Sequence, residues 1–362
     1  MKYAVIMAGG SGKRLWPLSR KKTPKQMLRL IKNKTLLRIC YERIAPIFQT
    51  DHVLILTNAH FRDAVAQELP EIPSKNIIAE PAMRDTAPAI ALAAAVLAKS
   101  DPHASMVILT ADHLIEPPEN LCAAINDAFA FVENNADALI TFAIKPTNPN
   151  TQFGYLELGQ SQTCDYAQNP IAKVHSFKEK PDLQTAQKYL DSGNFFWNSG
   201  MFVFKASAML DNIKNNLPDA IPPLDNLKAA WNTPDWDNTL KTNFPLMPKI
   251  SIDYAVMEKS DTVHSITLDC SWLDVGSFNA IEKILPPDEN KNVLANTTAQ
   301  LIDSSENIII TKNNDHLIAA IGVSDLVIAH TPDATLICHK KQTHKLKELL
   351  EQLEKRDLDK YL

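Results

Sequence analysis

Apolar residues along this chain fall into two kinds of segment that take turns. Short, mostly apolar runs at 3–8, 53–57, 76–79, 105–110 and 139–144 predict buried strands. Between them the apolar positions recur at helical spacing. In 35–48, Leu36, Leu37, Cys40, Ile44, Ile47 and Phe48 share one helical face. Segments 61–69, 86–99 (alanine-rich, with Pro88 in its first turn) and 121–134 continue the pattern. Such alternation predicts an α/β fold, a doubly wound sheet that is mostly parallel with helices on both faces. Ligands of such sheets sit beyond the carboxyl ends of the strands. Residues 9–14, Glu80 and Asp112 occupy such ends and are expected to converge on one crevice.

From 150 to 285 the pattern changes. Strands are expected at 154–158 and 174–180, around a polar loop at 159–170. The aromatic run 195–204 reads as strand interrupted by a turn at Asn198-Ser199-Gly200, and 263–268 as another strand. The stretch 214–249, rich in Pro, Asn and Trp, mixes helices with irregular cover. A linker is expected at 286–290. Beyond it, β-prone runs at 299–302, 307–310, 317–321, 326–331 and 335–338 are separated by Asn and Asp turns. That spacing suits a small β-solenoid or a sandwich. Residues 342–356 predict an amphipathic helix with Leu346, Leu349, Leu350 and Leu353 as its stripe, packed on its own domain or on a twin subunit in a homodimer. The expected domains are 1–285, 286–340 and 341–362.

Charge narrows the function. The chain has 37 Lys and Arg against 42 Asp and Glu, a net charge of −5, which argues against a general nucleic-acid binder. No apolar run approaches the about 18 residues of a membrane span, so no membrane partner is expected. Five scattered cysteines without a Cys-x-x-Cys pair read as free thiols of a reducing compartment. With Met1 leading directly into a strand, a soluble cytoplasmic protein is expected.

Against this acidic background one segment stands out. Gly9, Gly10 and Gly12 follow the first strand, and Lys13, Arg14, Arg20, Lys21, Lys22 and Lys25 come next, while the first acidic residue is Glu42. Glycines at positive φ bring backbone N–H groups close to an anion, and unopposed cations suit a polyphosphate. The loop is neither a Walker loop, since Leu15 and Trp16 follow Gly12-Lys13-Arg14, nor a dinucleotide fingerprint, which needs a third glycine where Leu15 stands.

What remains is Gly-Gly-x-Gly-x-Arg-Leu-x-Pro-Leu followed by Pro24-Lys25. This resembles the signature of the sugar-1-phosphate nucleotidyltransferases, and the variant Leu15-Trp16-Pro17-Leu18-Ser19-Arg20 is most similar to the mannose-1-phosphate guanylyltransferases. The resemblance covers roughly residues 1–285. It implies a Rossmann-like, GT-A-like mixed sheet with a short left-handed β-helix behind it. The implied reaction moves GMP from GTP to α-D-mannose 1-phosphate, giving GDP-mannose and pyrophosphate, with Mg2+ as cofactor. Some members carry a further C-terminal isomerase domain for which this chain is too short, so transferase activity alone is expected.

The same resemblance distributes roles. Ala8, Gly9, Gly10, Gly12, Lys13 and Arg14 are expected on the nucleotide, with Arg14 on the β- and γ-phosphates and Lys25 near the reacting centre. Asp112 and Asp274 read on their own as a helix cap and a turn residue, or together as a magnesium site; the resemblance implies the latter. His113 is expected to be a structural hydrogen-bonder. Glu179 and Lys180, in Phe177-Lys178-Glu179-Lys180-Pro181, are implied on sugar hydroxyls and sugar phosphate, with Gly154, Tyr155 and Asn198 completing the pocket. The base is expected at Glu80, Asp85 and Thr86, where Asp85 replaces the family's usual Asn; it is either a double acceptor for guanine or an N-cap. Two other readings compete. One is a transferase for glucose 1-phosphate with UTP or dTTP; the other is a non-catalytic regulatory subunit that binds sugar nucleotide. Arg84-Asp85-Thr86-Ala87-Pro88 argues against the first, and retention of Arg14, Lys25, Asp112 and Asp274 against the second.

Overall fold

Nine strands form one mixed sheet in the computed structural model, which describes residues 1–362 except 11, 22, 32 and 313–315. Ser11 of the glycine loop and Lys22 of the basic block thus lie outside the described residues. The strands are β1 (Lys2–Ala8), β2 (Val53–Asn58), β3 (Ile77–Glu80), β4 (Ser105–Thr110), β5 (Leu139–Ile144), β6 (Tyr155–Gln162), β7 (Ile171–Lys178), β8 (Phe195–Lys205) and β9 (Val263–Leu268). They lie in the order β3-β2-β1-β4-β8-β5-β9-β7-β6. The first four are mutually parallel, with Ile6 opposite Ile55 on one side and Leu109 on the other. β8 then enters antiparallel between β4 and β5, and β7 pairs antiparallel with β9 and β6. The sheet is therefore mixed, and its parallel part is confined to the first strands and the β5–β9 pair.

The protein divides into two compact units. The first comprises Met1–Ala8, Tyr41–Thr110 and Ile115–Trp272; the second comprises Gly9–Cys40, Ala111–Leu114 and Leu273–Leu362. In the first unit the helix Thr86–Ser100 is buried from Ala87 to Leu97. Its alanines let it seat closely on the helices Ala206–Asn216 and Ile221–Ala230, and a helix apolar all round is one enclosed on every side. The expected turn at Asn198-Ser199-Gly200 is instead a bulge inside β8: pairing to β5 slips between Asn198 and Phe202, and Gly200 takes φ 70°. Pairing on both sides keeps the strand continuous, and the turn-forming residues absorb one local kink.

The second unit settles the choice between solenoid and sandwich. β10 (Val293–Ala295), β12 (Ile308–Thr311) and β14 (Leu326–Thr331) pair in parallel, as do β11 (Thr298–Ile302) and β13 (Leu317–Ile321). Parallel neighbours one coil apart in sequence make a β-helix, closed by the antiparallel β15 (Ala334–His339). Asparagines tie the coils together. Oδ1 of Asn292 accepts from the backbone N–H and the Nδ2 of Asn307, at 3.1 and 2.9 Å, and Oδ1 of Asn307 accepts from the N–H of Leu326 at 3.0 Å. The segment expected as a linker is ordered: Oδ1 of Asp288 accepts from the N–H of Asn290 and of Asn292. The helix Leu346–Lys355 packs Leu346 and Leu350 into this unit's own core, beside Leu15, Trp16, Val275, Phe278, Ile308 and Val327. Trp16 also donates from Nε1 to the carbonyl of Tyr361 at 2.7 Å. No helix among the described residues is long and apolar enough to cross a membrane.

Candidate active site

The expected site residues form two groups, one in each unit. In the second unit the group is built on the glycine loop. Of its three glycines only Gly12 has positive φ, at 61°. Gly9 and Gly10 do not use that freedom, and a Cβ at Gly10 would lie in ordinary contact, 3.6 Å, with Cε of Lys25. At Gly12 a Cβ would lie 2.7 Å from Cβ of Lys25 and run into Ser19 Oγ. The loop is thus shaped around the stem of Lys25.

Lys25 aims its ammonium at two carboxylates. Nζ is in ion-pair contact with Asp112 and 3.7 Å from Oδ1 of Asp274. Burial acts to raise the Asp112 carboxyl, but the Lys25 charge, the neighbouring His113 and hydrogen bonds together outweigh it and hold Asp112 below the ordinary carboxylate range. Burial likewise acts to lower Lys25, and Asp112 and Asp274 more than offset it, leaving the ammonium raised. The N–H of Val275 donates to the carbonyl of Asp112 at 3.0 Å, tying the two acidic segments together. Oδ1 of Asp274 is buried without a hydrogen-bond partner, and a Cβ at Gly276 would crowd both its oxygens at 3.3 Å. Asp112, His113 and Asp274 each offer one donor atom within 4.8 Å of the others. His113 is buried, with Nε2 4.0 Å from Asp112 Oδ1. Two hard carboxylates, one with a buried oxygen that lacks a hydrogen bond, with a cation already drawn to them, form a donor set that fits a magnesium ion.

The remaining cations divide. Arg20 is committed to Asp333 at 2.6 Å, and Lys21 to Asp359 at 3.2 Å and Glu354 at 3.5 Å. Lys13 and Arg14 are exposed and line a cavity of about 220 Å³ with Trp16, Leu350 and Leu362.

The first unit holds the other group. Gly154 stands against Glu179, whose Oε2 fills the space a Cβ would need, and its carbonyl accepts from the N–H of Asn198 at 2.8 Å. Glu179 is buried and ion-paired with the half-exposed Lys180. Sequence reasoning missed Thr141 and Asp253. Thr141 Oγ1 donates to Oδ1 of Asn198 at 2.8 Å, and Nδ2 of Asn198 donates to Oδ1 of Asp253 at 3.0 Å. Burial, then the Glu179 charge, push Asp253 up to about 7. Its signal in sequence is an acid after Ile250-Ser251-Ile252, too common a pattern to select. Tyr155 is not brought to this group: its ring is fully buried against Tyr189, and its hydroxyl accepts from the N–H of Asn150 at 2.9 Å. An aromatic one residue along a strand from Gly154 points to the opposite face.

The expected base-reading segment is tied down locally. Asp85, at φ 68°, caps the helix Thr86–Ser100 by accepting from the N–H of Thr86 at 2.8 Å. Thr86 Oγ1 accepts from the N–H of Ile252 at 2.8 Å, so its hydroxyl joins this segment to the strip leading to Asp253. Ala8 accepts through its carbonyl from Thr57 Oγ1. Glu80, at the end of β3, is pushed up to about 8 by burial.

Comparison with known proteins bears on both groups. A nucleotidyl transferase family model matches residues 3–291, and a MannoseP isomerase/GMP-like beta-helix domain model matches residues 299–353. A mannose-1-phosphate guanylyltransferase of Klebsiella pneumoniae is 38% identical over 100% of this chain and 76% of its own length. One from Salmonella montevideo is 37% identical over 96% and 73%. The chain belongs to the mannose-1-phosphate guanylyltransferases. Among solved structures, a mannose-1-phosphate geranyltransferase from Thermus thermophilus, so titled, is 31% identical with a TM-score of 0.84, covering 98% of this chain and 99% of that one. Membership of this family accounts for the pairing of a nucleotidyl transferase sheet with a β-helix.

Proposed function

We propose that the chain transfers GMP from GTP to mannose 1-phosphate, releasing pyrophosphate and GDP-mannose. A phosphate monoester is already an adequate nucleophile, so the protein has to position two polyanions and stabilise the leaving pyrophosphate. Arg14, exposed just past the glycine loop, binds the β- and γ-phosphates. Lys25 neutralises charge near the α-phosphorus as the sugar-phosphate oxygen attacks and the bond to the β-phosphate oxygen breaks. Asp112 and Asp274 would hold a magnesium ion. When bound, magnesium would supply charge neutralisation to the phosphate oxygens. Glu179 accepts from sugar hydroxyls, Lys180 meets the sugar phosphate, and Asn198 donates through Nδ2. Glu80 and the Asp85–Thr86 segment read the base.

The observation that carries this reading is the convergence of Lys25, Asp112 and Asp274 around a loop that Gly12 opens for the Lys25 stem. Pyrophosphate release, assayed pairwise with GTP, UTP or dTTP and with mannose 1-phosphate or glucose 1-phosphate, with and without magnesium, tests it. GTP with mannose 1-phosphate should be fastest and magnesium-dependent. Faster turnover with UTP or dTTP and glucose 1-phosphate overturns it.

A further inference from the structure

We propose that Asp253 is a positioning residue for the sugar phosphate, fixing the Asn198 amide so that it meets the sugar as a hydrogen-bond donor. The proposal rests on the assignment of Glu179 and Asn198 to the sugar.

A side-chain amide has two orientations of similar shape and opposite chemistry. At Asn198 the surroundings choose one. Thr141 does not choose: its hydroxyl lies 2.8 Å from Asn198 Oδ1 and 3.2 Å from the carbonyl of Met201. It donates to Asn198 as observed, but it would donate to Met201 and accept from Asn198 if the amide turned over. The N–H of Gly200 favours the observed orientation only through a long contact to Oδ1, 3.2 Å. Asp253 decides. Above about pH 7, where its carboxylate is ionised, it is acceptor-only, and Oδ1 takes one hydrogen of Nδ2 at 3.0 Å.

With Thr141 and Gly200 on the amide oxygen, both acceptor sites of Oδ1 are filled. What remains is one N–H. Asn198 therefore offers the sugar a single donor, where the residue type alone would allow donor or acceptor. Glu179 beside it offers acceptors. A hydroxyl can accept from the first and donate to the second, so the pair reads a hydroxyl by both its faces. Asp253 lies within a short π-helical turn, Asp253–Met257, and the preceding Ile252 is bonded to Thr86. Such turns often sit at functional sites because they re-aim one side chain. Here the side chain re-aimed is the amide's anchor.

The test is a double-mutant cycle on KM. Asp253→Leu should raise KM for mannose 1-phosphate by about tenfold, the effect of one hydrogen bond worth about 1.4 kcal/mol, while KM for GTP stays within about twofold. Asp253→Asn keeps an acceptor oxygen but also carries donors, so it bonds the amide without choosing its orientation and should restore KM for the sugar only in part, between wild type and Asp253→Leu. In the double variant Asn198→Ala/Asp253→Leu, KM should be no higher than in Asn198→Ala, since Asp253 acts only through Asn198. Additive effects, or an Asp253→Asn variant as damaged as Asp253→Leu, overturn the proposal. An Asp253→Leu variant with unchanged KM also overturns it. If Asp253→Leu does not fold, Asp253→Ala takes its place in the same cycle. If Asn198→Ala alone leaves KM for the sugar unchanged, the sugar assignment beneath the proposal is what has failed.

Discussion

Lys25 places its ammonium against Asp112 and 3.7 Å from Oδ1 of Asp274, inside the second unit. One positive side chain thus serves two acids proposed as metal ligands, and cation and ion compete for the same oxygens. Lys25→Met should tighten Mn2+ binding, measured by calorimetry or electron paramagnetic resonance, by on the order of tenfold, because removing a nearby positive charge leaves the carboxylates more attractive. Turnover should fall in the same variant. Weaker Mn2+ binding would mean that Lys25 supports the ion instead of competing with it.

Asp112→Asn keeps the shape and removes the charge. Turnover should drop by on the order of 100-fold, as loss of one charge-stabilising group does. Circular dichroism should show a folded protein. Near-normal turnover at saturating magnesium would remove Asp112 from the metal site.

Arg14 is exposed at the mouth of the loop, and its proposed partners are the β- and γ-phosphates. Arg14→Ala should raise KM for GTP by roughly tenfold or more, a charged hydrogen bond being worth about 1.5–3 kcal/mol, and leave KM for mannose 1-phosphate nearly unchanged. Equal damage to both constants, with GTP binding intact by direct titration, assigns it elsewhere.

How much of this was readable beforehand differs from place to place. Strand positions were legible because buried strands are written as mostly apolar runs; β1 ends where the run Tyr3–Ala8 ends and begins one residue before it. Lys25, Asp112 and Asp274 were legible only through motif resemblance, since a lone acid at a strand end has too many structural uses. Gly12 was legible as a glycine that must be one, whereas Gly9 and Gly10 do not adopt the conformation expected of them. The bulge in β8 was mistaken for a turn because Asn-Ser-Gly has turn chemistry, and only pairing on both sides of the strand overrides it. Asp253 was invisible: its partner Asn198 is 55 residues away, and nothing local marks the contact.

Asp85 carries two roles that one substitution separates. It caps the helix Thr86–Ser100 from a positive φ. Asn caps as well as Asp and matches it in size, but offers a single acceptor oxygen. Asp85→Asn should therefore leave the melting temperature within a few degrees, about 1 kcal/mol at most. If the carboxylate also reads guanine, the GTP-over-ATP ratio in kcat/KM falls in the same protein. An unchanged ratio leaves Asp85 as a cap and transfers base reading to Glu80.

Glu80 predicts a pH effect. Burial pushes its carboxyl up from 4.5 to about 8, so the folded protein binds a proton there that the unfolded chain has already released. Folding is unopposed by this group below about pH 4.5 and increasingly opposed as pH rises toward about 8, above which the acid is ionised in both states. Glu80→Gln removes the opposition. Its melting temperature relative to wild type should be nearly level at about pH 4.5 and rise steadily toward about pH 8.5. A difference that stays flat over this range would show that Glu80 titrates as an ordinary surface carboxyl.

The asparagine ladder constrains how this protein can change length. Asn292 accepts from the backbone of Asn307, and Asn307 from the backbone of Leu326, so each coil completes the hydrogen bonding of its neighbour. Deleting one residue within a coil would rotate an asparagine out of line and strand two buried partners at once. Growth or shrinkage within this stack is therefore quantised: it proceeds by whole coils, or by extra residues at the corners, and single-residue gaps inside β12 or β14 should be purged from any lineage that keeps the fold.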